Sequence, residues 1–160
     1  MIMLFLNDSL LQRLHQAPLL QERVKLLESI PGVGEVTALV WALETADPHR
    51  FGSIGQAQSY CGLTAAFTAS AGKEQRGPLS KQRNAHLQTT LIEAAKLAPR
   101  WNAQLAAVHT KELERGHRNR ATLAVARKLV AYLLAVDKSG RRFQQCGQAA
   151  TEEEQMKATA

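Results

Sequence analysis

The sequence predicts an all-α domain containing a helix-hairpin-helix corner, preceded by a leading helix of coiled-coil character. Three observations carry this. Apolar residues recur at helical spacing through most of residues 8–138. Proline, glycine and small polar residues interrupt them where helix ends are expected. Alternation of the kind a half-buried strand shows is nowhere sustained, and no internal repeat is present.

From Asp8 to Leu27 the positions Leu10, Leu11, Leu14, Leu19, Leu20, Val24 and Leu27 give a helix or helix pair. Pro18 breaks it, because its ring clashes with the preceding turn and it has no N–H. Pro31-Gly32-Val33-Gly34 then turns the chain into a second helix, from about Glu35 to Ala46, with Val36, Leu39, Val40 and Leu43 as its buried stripe. Asp47-Pro48 stops that helix. Ser53 is placed to cap a short helix over Ile54 to Tyr60, which Gly62 ends. Thr64 to Leu79 has no clear period and is rich in small, glycine and charged residues. It reads as an ordered functional loop, or one that orders on a partner. Ser80 is the expected N-cap of a long helix through Ala98, with Leu87, Leu91, Ala94 and Ala95 inside and Pro99 at its end. A further helix covers about Trp101 to Arg115, closed by Gly116, and the last runs from Ala121 to Val136. Beyond Phe143 the chain is polar, small and acidic, the composition of disorder. The expected division is a leading helix over 1–27, a helical domain over 28–138 and a disordered tail over 139–160.

The formal net charge of +6 is unevenly placed. Residues 1–72 hold four basic and six acidic side chains, residues 73–143 fifteen and five, and residues 144–160 one and three. A basic block of this kind is the electrostatic footprint of a nucleic-acid binder, although a solvated surface has the same composition. Cys61 and Cys146 lack metal-ligand spacing, and two unpatterned thiols fit a reducing cytoplasm. The apolar start, Met1 to Leu6, has no basic region and is cut short at Asn7-Asp8, so neither a signal peptide nor a membrane span is expected. It looks like the exposed end of something longer.

The glycine turn is the first candidate site. Amide N–H groups of Gly32, Val33 and Gly34, followed by a helix N-terminus, would form a concave positive patch suited to a phosphate. A plain helix-turn-helix corner has the same residues. Ser70 is the candidate nucleophile, in an irregular stretch with Lys73, Arg76, Lys81 and Arg83 following. A serine hydroxyl attacks only once its proton is removed, and nearby cations would hold a scissile phosphate and stabilise the charge that develops on it. Most serine- and glycine-bearing loops are only loops. Two-metal chemistry needs converging carboxylates, whereas Glu35, Glu44 and Asp47 suit a helix surface with a capping or turn role for Asp47. The five histidines are scattered, and no metal site is assigned. Trp41 and Trp101 fall in helical stripes and read as core. Arg115-Gly116-His117-Arg118-Asn119-Arg120 joins two helices as either a backbone clamp or a solvated connector. Within the last helix, one or both of Arg127 and Lys128 must point outward.

Taken together, these segments resemble a known family. Ile30-Pro31-Gly32-Val33-Gly34 with Thr37-Ala38, then Asp47 with Arg50-Phe51, form one block. Tyr60-Cys61-Gly62-Leu63-Thr64 and Ser70-Ala71-Gly72-Lys73 follow, then Gly77 with Leu79-Ser80-Lys81, Asn84, His86-Leu87, Leu91 and Ala94-Ala95. Ala124 to Leu129 closes the match, which covers about residues 22–138. The combination is similar to the C-terminal domain of the DEDD insertion-sequence transposases, which include the Piv-type DNA invertases.

The resemblance implies a serine that attacks a DNA phosphodiester and stays linked to the strand during exchange. It implies a RuvC-like partner domain whose Asp-Glu-Asp-Asp set binds Mg, and a composite site across subunits. It also implies, in some members, a guide RNA. The matching serine is Ser70, with Lys73, Arg76, Lys81, Arg83 and Asn84 as nucleic-acid contacts beside Gly32, Val33 and Gly34. Three positions depart from the family pattern: Ala71 and Arg83 stand where glycine is usual, and Gln88 where arginine is common, which would weaken a phosphate contact. The sequence has no room for the RuvC-like domain, so the expectation is a truncated or split transposase, inactive alone and without a cofactor of its own. Its expected partners are DNA, a guide RNA, a second copy, or a transposase carrying the missing half, in the cytoplasm near the nucleoid and away from membranes. The rival reading is a non-catalytic helix-hairpin-helix binding module, or a decayed fragment.

Overall fold

The computed structural model describes residues 16–70, 73–79 and 84–144, with residues 65–79 described by their backbone. The start of the expected leading helix, Lys81, Arg83, Cys146 and the tail from residue 145 lie outside the described residues. The body is helical, as expected, with six α-helices among the described residues: α1 Pro18–Leu27, α2 Glu35–Thr45, α3 Ile54–Tyr60, α4 Ala85–Leu97, α5 Ala103–Leu113 and α6 Arg118–Ser139. Short 3-10 turns, Pro48–Arg50 and Ala98–Arg100, link α2 to α3 and α4 to α5.

Local chemistry sets most boundaries. Ala17 has extended backbone (φ −121°, ψ 89°) and Pro18 occupies the first turn of α1, so the break falls where proline demands it. Asp47 Oδ1 accepts from His49 N at 2.9 Å, and Ser53 Oγ accepts from Gln56 N at 3.2 Å. Asn102 Oδ1 accepts from both Gln104 N and Leu105 N to start α5. α4 begins at Asn84, whose Oδ1 accepts from Leu87 N at 2.9 Å, and not at Ser80. Ser80 itself lies outside the described residues, and the last described residues before Asn84, Lys73–Leu79, pair as a strand.

That strand is the main addition to the helical reading. Ala65–Ser70 (β1) and Lys73–Leu79 (β2) form a two-stranded antiparallel hairpin, where the sequence shows no period. The strand pattern is obscured by a register irregularity between Ala65 and Phe67 and by Gly77-Pro78 within β2, residues that ordinarily argue against a strand.

The core is organised on α6, which packs against α1, α3, α4 and α5. It contributes Ala121, Val125, Ala126, Leu129, Val130, Leu133, Leu134 and Val136. Against these lie Leu27, Ile30, Trp41, Leu63, Leu87, Leu91 and Leu105, all fully buried. Fully burying one such side chain contributes about 1.5–3 kcal/mol. Two expectations about the core are corrected. In α2 the buried set is Thr37 to Ala42 with Thr45, while Val36 and Leu43 are 44% and 47% exposed, because α1 and α4 flank the helix and cover most of its circumference. Trp101 is 73% exposed: it follows the 3-10 turn at Pro99 and precedes the cap of α5, so it belongs to no helical stripe.

A buried ion pair ties the chain ends of the body together. Asp137 on α6, its side chain 3% exposed, accepts from Arg23 Nε at 2.8 Å and Nη2 at 2.7 Å, and from Trp41 Nε1 at 2.9 Å. Arg23 Nη1 also donates to the carbonyl oxygens of Ala46 at 2.6 Å and Ala42 at 3.3 Å. Ala46 lies at φ 55°, strained for a residue with a side chain. Removing Arg23 leaves the Asp137 carboxylate buried without its counter-charge, at a cost of about 3–5 kcal/mol. Arg23→Ala is expected to destabilise by that amount in urea unfolding, and the Arg23→Ala, Asp137→Ala double variant by clearly less than the two single effects added.

Candidate functional site

Register brings two of the predicted residues together. β1 and β2 pair so that Ser70 lies opposite Lys73, across the connection at residues 71–72, and Phe67 lies opposite Arg76. Strand alternation puts positions 70 and 73 on one face of the hairpin and positions 67 and 76 on the other. Ser70 and Lys73 thus share the tip, while Arg76 lies further along the arm.

The roots of the arm are fastened to the body. Gly62, at φ 69°, ends α3, and its carbonyl accepts from Gln88 Nε2 at 2.7 Å. The next carbonyl, of Leu63, accepts from Arg127 Nε at 2.7 Å. On the return side, Asn84 N donates to Tyr60 O at 3.1 Å. Gln88 is buried and committed to this bond, so the position at which an arginine was expected faces the interior and not a phosphate. Arg127 likewise turns inward to hold the arm, whereas Lys128 is exposed, 5.4 Å above the Tyr132 ring.

Asn84 needs the same correction. Besides capping α4, it donates through Nδ2 to Glu44 Oε2 at 2.6 Å. Both ends of its amide are engaged within the fold, which makes it an anchor of the arm and not a free nucleic-acid contact. Glu44 also meets His86 Nδ1 at 3.1 Å, and its main-chain carbonyl accepts from Tyr60 Oη at 2.9 Å. The bonds from His86 and Asn84 hold the Glu44 carboxyl below its ordinary range. This cluster was not assigned from sequence, since its members lie on three separate elements.

The glycine turn is only partly open. Gly32 sits at φ +97°, and a Cβ there would lie 2.7 Å from Ala98 Cβ, so glycine is required by conformation and by close packing. Val33 is buried, and its N–H already donates to Ile30 O at 3.0 Å. Asn102 Nδ2 reaches Pro31 O at 3.3 Å, seating the turn on the start of α5. Gly34 is different: it is exposed, caps α2 at φ −91°, and a Cβ there meets nothing within 4 Å. Two carboxylates flank this corner. Glu28 is raised above its ordinary pKa by partial burial and by the charge of Glu35.

Elsewhere, Arg115 and Arg120 of the basic turn both pair with Glu112, at 2.9 and 3.3 Å. Cys61 is fully buried and its thiol is pushed up to about 12, too high for a nucleophile near neutrality. Among the described residues no group of three or more His, Cys, Asp or Glu is placed to hold a metal ion, and no helix is long and apolar enough to cross a membrane.

Comparison with known proteins places this architecture. The profile of the Transposase IS116/IS110/IS902 family matches residues 24–110, just over half of the chain and including the glycine turn, the arm and its roots. The chain belongs to this family. It is 35% identical over 106 residues to the transposase for insertion sequence element IS1111A of Coxiella burnetii, covering 64% of this chain and 29% of that protein. It is 33% identical over 88 residues to the putative transposase y4pF/y4sB of Sinorhizobium fredii, covering 55% of this chain and 22% of that protein. The chain therefore spans less than a third of the length of these relatives.

The Glu44 cluster makes a pH prediction. A carboxyl whose folded pKa is lowered contributes stability above its unfolded value, and that contribution is lost as pH falls through the folded one. Glu44→Gln is expected to cost about 0.5–1.5 kcal/mol at pH 7. The difference from the parent should vanish in thermal melts taken well below pH 4.5, the ordinary value for the group.

Proposed function

We propose that this chain is the serine-bearing part of a DNA transposase or site-specific recombinase, binding nucleic-acid backbone and presenting Ser70 as the nucleophile. The observation that carries the reading is the pairing of Ser70 with Lys73 at the tip of an arm whose roots are fastened to the body. A cation beside the hydroxyl suits a scissile phosphate, because it opposes the negative charge that grows on the phosphoryl oxygens. Ser70 Oγ forms a bond to phosphorus as the bond from phosphorus to the departing strand's oxygen breaks. That oxygen takes up a proton, which balances the one lost by serine. The strand stays joined to Ser70 as a phosphodiester, so reversal by another strand's hydroxyl needs no outside energy source.

Lys73, Arg76, Lys81 and Arg83 are read as contacts to the strand backbone, with the exposed Gly34 amide as the contact on the glycine turn. The described residues do not fit a metal ion, so no step is assigned to one held here. In this reading the Mg-binding acids belong to a RuvC-like half, and the site is completed by that half or by another copy of the protein. A guide RNA would bind the same basic surface.

The test is binding of the chain to duplex DNA and to structured RNA over a range of salt, followed by trapping of the covalent complex when a relative's metal-binding half is supplied. Log affinity is expected to fall linearly with log salt, with a slope reduced by about one for each of Lys73→Ala and Arg76→Ala. Ser70→Ala should leave the affinity unchanged and abolish the adduct. An adduct that survives this substitution overturns the nucleophile, and salt-insensitive binding overturns the nucleic-acid reading. Gly34→Ala is a clean probe of the glycine turn, because its Cβ fits freely. It should weaken binding by steric block while costing about 1 kcal/mol or less of stability.

A further inference from the structure

Arg50 is exposed, at the end of the 3-10 turn Pro48–Arg50, and its guanidinium carbon lies 4.3 Å from the Tyr60 ring centroid and 4.7 Å from that of Phe51. The two rings are themselves packed, with centroids 5.5 Å apart and a tilt of 50°. Phe51 is buried, and its carbonyl accepts from Lys138 Nζ at 2.6 Å, which fixes the platform to α6. Tyr60 is fixed through its Oη on Glu44 O and its carbonyl on Asn84 N. Arg50 is thus held over a rigid aromatic surface, while no carboxylate among the described residues pairs with it. Asp47, three residues earlier, caps His49 N, and the Glu44 carboxylate is taken by Asn84 and His86.

We infer that Arg50 is a pre-positioned phosphodiester clamp at the root of the arm, receiving nucleic-acid backbone that lies across the body beside Tyr60 and Asn84. The physical case has three parts. A guanidinium carries five N–H donors in a planar fork that matches two phosphate oxygens. Packing over two rings restricts where the fork can lie before a ligand arrives, which lowers the ordering cost of binding. The rings take none of the strong hydrogen bonds that its N–H donors can make to a phosphate. The site lies where the Ser70 arm leaves the body, so one strand contacting both would be gripped behind the nucleophile as well as at it. This inference rests on the nucleic-acid reading above and adds a contact to it.

The experiment compares the parent chain with Arg50→Ala, Arg50→Lys and Tyr60→Phe, using duplex DNA and structured RNA in separate salt titrations, with thermal melts of each protein. Arg50→Ala is expected to lower affinity about tenfold at low salt in at least one arm, as for a lost hydrogen-bonded charge, and to reduce the salt slope there by about one. Arg50→Lys keeps the charge and loses the fork, so its slope should stay near the parent's while its affinity drops. Tyr60→Phe keeps the ring and loses the Oη bond to Glu44 O that holds it, so its affinity should fall by less than that of Arg50→Ala. If the parent binds with a clear salt slope and Arg50→Ala binds equally well in both arms, the clamp is overturned while the nucleic-acid reading stands. If Arg50→Ala lowers the melting temperature and its affinity matches the parent's at a temperature where both are folded, Arg50 only supports Tyr60 and the clamp is again overturned. If the parent binds neither nucleic acid, both readings fail.

Discussion

The three N–H groups that converge on the Asp137 carboxylate are the constraint on which the rest of this domain depends. Two come from Arg23 on α1 and one from Trp41 on α2, while the carboxylate belongs to α6. A carboxylate buried so completely is tolerable only when fully hydrogen-bonded, so the last turns of α6 can close only against α1 and α2 in this arrangement. Arg23 extends the constraint by binding the carbonyls at the end of α2, including that of the strained Ala46. The segment that leaves this point carries Asp47 and Arg50, and the turn before it carries Glu44. The geometry of the candidate site is therefore inherited from an ion pair on the far side of α2.

A two-stranded ribbon has little apolar surface to bury and is marginal by itself. Its direction must come from where its ends leave the body. Three different helices supply that: α4 through Gln88 and Asn84, α6 through Arg127, and α3 through Tyr60 and Gly62. The fastenings are polar bonds to main-chain atoms at the roots, so they position the arm without depending on the side chains along it. Such a design does not rely on an alternating apolar pattern along the strands, which is why the stretch can form a hairpin without a hydrophobic period.

What was legible in the sequence follows from that distinction. Boundaries set by one residue's own backbone chemistry could be read directly: the break at Pro18, the caps at Asp47 and Ser53, and the helix stops at Gly62 and Gly116. Burial along α6 was also legible, because a long helix at the centre of a bundle keeps its apolar pattern. Val36, Leu43 and Trp101 were misplaced because exposure depends on neighbours that periodicity does not contain. The hairpin was missed because its pairing is specified by register and by anchored ends rather than by alternation. The roles of Gln88, Asn84 and Arg127 were invisible for a related reason. Each looks like a surface polar residue until its partner oxygen, on Gly62, Glu44 or Leu63 and 26, 40 or 64 positions away, is known.

The same logic separates the two ends of the proposed nucleic-acid surface. At the glycine turn the Val33 amide is already engaged and Gly32 is closed by Ala98, while Glu28 and Glu35 place negative charge beside the one open position. A phosphate at the Gly34 amide would meet these charges too, and the Glu28 carboxyl is raised first by burial and then by Glu35. At the arm root the balance differs, since no carboxylate among the described residues pairs with Arg50 and Glu44 is already held by two partners. In the proposed reading, attraction of a polyanion then falls mainly to the arm and its root. The glycine turn, closely packed against Ala98 and Asn102, fixes the angle between α1 and α2 and with it the placement of Arg23. Its two glycines are explained first by the fold, and only the exposed Gly34 amide has room to serve a ligand.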